Sequence, residues 1–113
     1  ALALSPAFER DGTIALTTRD GRVHVSDDRG TTWLDIETEG FGNGIAFSPD
    51  YERDGTLWVA TFPEGLLVST DRGASFAPVP GVPSLNLTDV VAAPDWPASR
   101  DLFVSSLQDG VFR

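Results

Sequence analysis

Two separate motifs recur in this chain at one common spacing, and no other feature constrains its fold as much. Ser5-Pro6-Ala7-Phe8-Glu9-Arg10-Asp11-Gly12-Thr13 returns 43 residues later as Ser48-Pro49-Asp50-Tyr51-Glu52-Arg53-Asp54-Gly55-Thr56. Ser26-Asp27-Asp28-Arg29-Gly30-Thr31-Thr32-Trp33 returns at the same shift as Ser69-Thr70-Asp71-Arg72-Gly73-Ala74-Ser75-Phe76. A third copy opens at Pro94-Asp95-Trp96, displaced by 45, and the sequence reaches Arg113 before its second motif. A unit this short cannot bury a core of its own, so successive units must stack on their neighbours. The repeat therefore divides the chain into residues 1–43, 44–86 and 87–113, about two and two-thirds units.

Each full unit carries four short apolar or alternating runs, separated by Gly, Asp and Pro. In the first they cover 1–4, 13–17, 22–26 and 32–36; in the second 44–47, 56–61, 66–69 and 75–79. The third unit has runs at 87–92, 101–105 and 110–113 and lacks the fourth. Helical periodicity is absent, apart from a turn expected at Pro6–Glu9 and again at Pro49–Glu52. The second run of a unit is apolar on both faces, with Leu57 and Val59 on one side and Trp58 and Ala60 on the other. Leu102, Phe103 and Val104 repeat that pattern. A sheet buried on both faces suits blades stacked around an axis better than a half-solvated meander. Four strands per unit of about 40–50 residues is also the propeller rhythm. The expected class is all-β, an incomplete β-propeller of four-stranded antiparallel blades: blade 1 over 1–43, blade 2 over 44–86, and a partial blade 3 over 87–113 lacking its outer strand. The Gly- and Pro-rich stretches at 39–44 and 80–84 read as blade-to-blade links.

Composition removes several functions. Seventeen acidic against eight basic residues give a net charge of −9, which disfavours nucleic acid and anionic lipid. No run approaches the ~18 apolar residues that a spanning helix requires, so no membrane insertion is expected. Nor does the start show a charged region followed by an apolar one, as a secretion signal would, and a soluble mature piece is expected. With no Cys, disulfides and thiolate metal sites are ruled out. Three Trp and seven Phe suffice for a packed core.

The motifs carry specific chemistry. In Ser26-x-Asp28-x-Gly30-x-Thr32-Trp33 a short Asp accepts hydrogen bonds from backbone N–H groups of its own turn, and Gly supplies the positive φ of a tight hairpin. Thr32 then opens the returning strand, and the Trp33 indole is expected in the core between units as a packing anchor. Both copies resemble the Asp-box, or bacterial neuraminidase repeat, of sialidase, sortilin and related propellers, the first at every defined position. The resemblance implies a structural role for Ser26, Asp28, Gly30, Thr32 and Trp33, and for Ser69, Asp71, Gly73, Ser75 and Phe76, rather than catalysis or calcium binding.

In the other motif Pro6 and Pro49 favour a turn start, and Phe8, Tyr51 or Trp96 plugs an apolar slot. Asp-Gly closes the turn. Glu9 with Asp11, and Glu52 with Asp54, offer too few oxygens for the ~6–8 that calcium prefers, and the neighbouring Arg competes. No metal or cofactor is expected. This segment, followed by Gly-Leu-Leu-Val-Ser-x-Asp-x-Gly, is similar to the long tandem arrays of secreted bacterial proteins, and the similarity covers almost the whole chain.

Sialidases add an arginine cluster, a Tyr paired with Glu, and an acid Asp. Here Tyr51 shares its repeat slot with Phe8 and Trp96, Arg10 and Arg53 are repeated turn residues, and Arg29 and Arg72 lie inside the boxes. The repeat accounts for all of them, and two carboxylates without the right separation do not make a glycosidase. No catalytic residue is expected. His24 alternates with Val23 and Val25 and has no nucleophile arranged beside it, so it reads as a strand-face residue. Asn86-Leu87-Thr88 fits a glycosylation sequon only as a pattern. Phe41 and Phe62, at loops or strand ends, are the candidate binding aromatics, and each either meets a partner or caps a blade.

Propellers usually have about 4–8 blades, and closure protects their strand edges. The blades missing here are expected from the same polypeptide, from copies of this chain (two giving ~5 blades, three ~8) or from another protein. A piece of a longer array is favoured, since Gly110-Val111-Phe112-Arg113 falls where another box is due. The main functional expectation is a non-enzymatic propeller segment of a secreted or surface bacterial protein, extracellular, scaffolding protein or glycan binding. One alternative is a fragment of a sialidase-like glycoside hydrolase with its catalytic residues elsewhere. The other is an assembly factor resembling the photosystem assembly propellers, with a protein client.

Overall fold

Alternating apolar residues bounded by turn formers produce three antiparallel meanders. The structure, a computed structural model, describes residues 1–18, 21–37, 41–62, 65–79, 87–92, 102–106 and 110–112. The first sheet contains β1 (Leu2–Leu4), β2 (Ile14–Thr17), β3 (Arg22–Ser26) and β4 (Leu34–Glu37), paired in chain order. The second contains β5 (Phe41–Phe47), β6 (Leu57–Phe62), β7 (Gly65–Ser69) and β8 (Ala77–Pro78). The third contains β9 (Leu87–Ala92), β10 (Leu102–Ser106) and β11 (Gly110–Phe112). Register follows the repeat: Leu4 pairs Ile14 and Ile14 pairs Ser26, just as Phe47 pairs Leu57 and Leu57 pairs Ser69.

The sheets stack face to face, and β6 shows why its sequence is apolar throughout. Leu57 and Val59 join Tyr51 in a cluster with Ala15, Val23 and Val25 of the first sheet. Trp58 and Ala60 point the other way, into a cluster with Ala46, Leu66 and the third sheet's Leu87, Val90 and Val104. Burying an aliphatic or aromatic side chain of this size contributes roughly 1.5–3 kcal/mol, so these two junctions hold the stack together.

Several expectations need correction. Residues 41–43 belong to β5, so the second sheet starts three residues before the boundary that the repeat period gives. The glycines around them are not a simple link but let β5 approach its neighbours. A Cβ on Gly42 would come near Thr17, and one on Gly44 would lie 2.5 Å from Asp89 Oδ1 and 2.8 Å from its Cα. At those approaches Thr17 Oγ1 donates to the Gly42 carbonyl at 3.0 Å, and Asn43 Nδ2 donates to the Leu87 carbonyl at 3.0 Å, joining first to second and second to third sheet. The fourth strands start later than their apolar runs suggest, at Leu34 and Ala77, because Thr32 and Ser75 are held in the preceding turn by an aspartate. Beyond the prolines lie single helical turns, Phe8–Asp11 and Tyr51–Asp54, each closed by a left-handed glycine. Finally, Phe103 is 40% exposed rather than buried, since Leu102 and Val104 face the second sheet and Phe103 faces away. Residues 80–86, Trp96 and the sequon asparagine Asn86 lie outside the described residues.

Candidate functional site

The two repeated motifs share a period because they touch. In the hairpin between β3 and β4, Ser26 Oγ accepts from the Gly30 N–H at 2.8 Å and donates to Asp28 Oδ1 at 2.8 Å. Asp28 then accepts from the Thr32 N–H at 2.8 Å and from the Thr32 hydroxyl at 2.5 Å. Ser69, Asp71, Gly73 and Ser75 repeat these bonds between β7 and β8, at 2.9, 2.7, 2.9 and 2.5 Å. The hydroxyl and backbone donors hold both Asp28 and Asp71 well below the usual carboxylate range, at about 2. Each carboxylate is committed to its turn.

Sequence reasoning missed the residue that joins the motifs. Arg29 and Arg72 take the left-handed conformation, φ 62° in both, costly for a residue with a Cβ. Three contacts compensate it. The Arg29 N–H donates to the Gly12 carbonyl at 3.0 Å, its guanidinium donates to the Glu9 carbonyl at 2.9 Å, and it lies 4.8 Å from the Phe8 ring centroid. Arg72 makes the same set with Gly55, Glu52 and the Tyr51 ring. The helical turn is itself fixed from within: Ser5 Oγ donates to Asp11 Oδ2 at 2.8 Å and the Thr13 N–H donates to Asp11 Oδ1 at 2.9 Å, with Ser48, Asp54 and Thr56 identical. Only the unexpected αL arginine in an Asp-Arg-Gly sequence signals this docking.

Where the docked motifs of two blades meet, a cleft of about 560 Å³ opens at the first junction. Val25, Trp33 and Leu34 of the first blade line one side; Tyr51 and Arg72 of the second line the other, with Asp11 and Asp27 nearby. The placement of Trp33 overturns its role as a buried anchor, since it is 41% exposed. Its repeat partner Phe76 packs at the junction between the first two blades. Trp33 instead stands in the wall of the cleft, and its Nε1 donates to the Gly30 carbonyl at 3.1 Å. Tyr51 is buried and edge-on to Phe47, 4.7 Å between centroids. Burial pushes its phenol up to about 12, Arg72 opposing and Asp11 and Asp27 adding to the shift, so it stays protonated at neutral pH. The cleft thus combines exposed indole and leucine surface with both signs of charge. It gathers no set of three or more His, Cys, Asp or Glu suited to a metal, among the described residues.

The other candidates lie elsewhere. Phe62 ends β6 at the edge remote from the hairpin motifs and is 41% exposed; the register sets Phe41 opposite it. His24 sits on β3, its Nδ1 3.8 Å from Asp35, which Arg22 also engages at 3.1 Å.

No protein-family model matches the sequence, and no curated protein matches it. Among solved structures, the chain is similar to one described as YCF48 bound to D1 peptide, with a TM-score of 0.66 at 16% sequence identity. The match covers 94% of this chain and 32% of that one, so the chain spans about a third of that protein's length. That neighbour is a β-propeller, and the three meanders described here are consecutive blades of an incomplete one.

Proposed function

We propose that this chain is a non-enzymatic propeller scaffold whose first interblade cleft holds a polypeptide client. The observation that carries the reading is the cleft itself, built from two rigidly locked motifs and offering Trp33, Leu34, Arg72 and Asp27 together. Apolar surface flanked by both charges suits an extended peptide, and aromatic and arginine side chains dominate such contacts. The propeller YCF48 bound to D1 peptide is a precedent for a peptide on this fold. The hairpin motifs are proposed as Asp-boxes, with Asp28 and Asp71 as structural acceptors, and the similarity to secreted bacterial arrays supports an extracellular or cell-surface location. Phe41 and Phe62 form a secondary candidate contact at the opposite edge.

Immobilised chain should retain a protein client that Trp33→Ala and Arg72→Ala each release, and should free no fluorophore from fluorogenic sialosides. Hydrolysis of those sialosides would replace this reading with the glycosidase one. Retention of glycans that survives both substitutions would also defeat it.

A further inference from the structure

The two hairpins repeat bond for bond, yet several residues that depart from the repeat gather in the walls of one cleft. Asp27 stands where the second repeat has Thr70, Trp33 where it has Phe76 and Leu34 where it has Ala77, and all three line the cleft at the first junction. Tyr51, on the opposite wall, stands where the first repeat has Phe8. Folding does not call for Asp27 or Trp33, since the second hairpin makes the same bonds with Thr70 and Phe76 in their places. Of the charged groups in the cleft, two are already engaged. Asp11 accepts from Ser5 Oγ and from the Thr13 N–H, and the Arg72 guanidinium donates to the Glu52 carbonyl and lies against the Tyr51 ring. Asp27 is exposed, and among the described residues its carboxylate has neither a hydrogen bond nor an ion pair. Its charge reaches the Tyr51 phenol across the cleft.

Given a polypeptide client in this cleft, we propose that the segment held there is basic: a lysine or arginine side chain donates to Asp27 while the Trp33 indole packs on its stem. A free carboxylate takes the charge-assisted hydrogen bonds of an ammonium or guanidinium, and an exposed indole adds attraction for the cation and cover for its methylenes. Leu34 offers a seat to a neighbouring apolar side chain. The net charge of −9 favours approach of a basic segment over an acidic one. This selectivity rests on the polypeptide reading of the cleft and falls with it.

Fluorescence anisotropy of short labelled peptides tests it, with lysine, arginine, norleucine or glutamate at the centre of one frame of Gly, Ser and Leu. The lysine and arginine peptides should bind the full chain about tenfold more tightly than the norleucine peptide, with glutamate weakest. Asp27→Thr, which copies the second hairpin, should abolish that preference, and Asp27→Asn should do the same at unchanged size. Trp33→Phe, also copied from the second hairpin, should weaken every peptide and keep their order. Equal binding of lysine and norleucine, a preference for glutamate, or a lysine preference that survives both Asp27 variants overturns the basic selectivity and leaves the polypeptide reading standing. If none of the four peptides binds, the basic selectivity is also overturned, and the polypeptide reading is decided separately by retention of a protein client.

Discussion

The first and second blades carry the same motifs in the same register, yet equivalent residues meet different fates. Trp58 is buried and Phe103, its counterpart one blade on, is exposed; Phe76 packs against the core of the first junction, whereas Trp33 stands exposed in the cleft beside it. The hairpin bonds, by contrast, match in the two blades to about 0.1 Å. Hydrogen-bonded turns are thus a property of the unit, whereas burial is a property of the neighbour. This is how quasi-one-dimensional proteins divide their stability.

Substitutions can break that distinction. The largest contrast is between tryptophans: Trp58→Ala should cost ~3–5 kcal/mol and Trp33→Ala about 1 kcal/mol, read from denaturant midpoints. Equal losses would mean that the first blade is covered as well as the second. Next, Leu57→Ala should cost ~2–5 kcal/mol, and its counterpart Ile14→Ala clearly less. Gly73→Ala should then destabilise more than Gly30→Ala. Both need positive φ, but the added Cβ at 73 also meets Val25 of the first blade at 2.7 Å, whereas at 30 its nearest neighbour is 3.6 Å away.

The smallest effect should show no contrast. Asp28 and Asp71 titrate near 2 when folded against an ordinary value of 3.8. A carboxylate depressed on folding stabilises above its unfolded pKa, and that contribution is lost as pH falls through the folded value. Thermal melts should therefore lose these contributions between about pH 4 and pH 2, and Asp28→Asn and Asp71→Asn should shrink that loss equally. Unequal responses would show that a neighbouring blade reaches into the hairpin.

The same division explains what the sequence made legible. The period, the four-strand meander and the two-faced apolar pattern of β6 could be read directly, because each is written within one unit. Trp33 was misjudged because its motif specifies where an aromatic stands but not how far a neighbouring blade covers it. Phe103 failed for the same reason. Arg29 and Arg72 escaped notice because an αL arginine is paid for by contacts 17 to 20 residues away, with Gly12 and Glu9 or with Gly55 and Glu52. The cleft was not foreseen, since its two walls come from different repeats.

Stacking of the second blade between two others is tested most directly by the accessibility of Trp58. In a Trp33→Phe, Trp96→Phe variant the sole remaining indole should emit at short wavelength and resist acrylamide until the chain unfolds. Red-shifted, freely quenched emission from the folded chain would contradict the stack of blades.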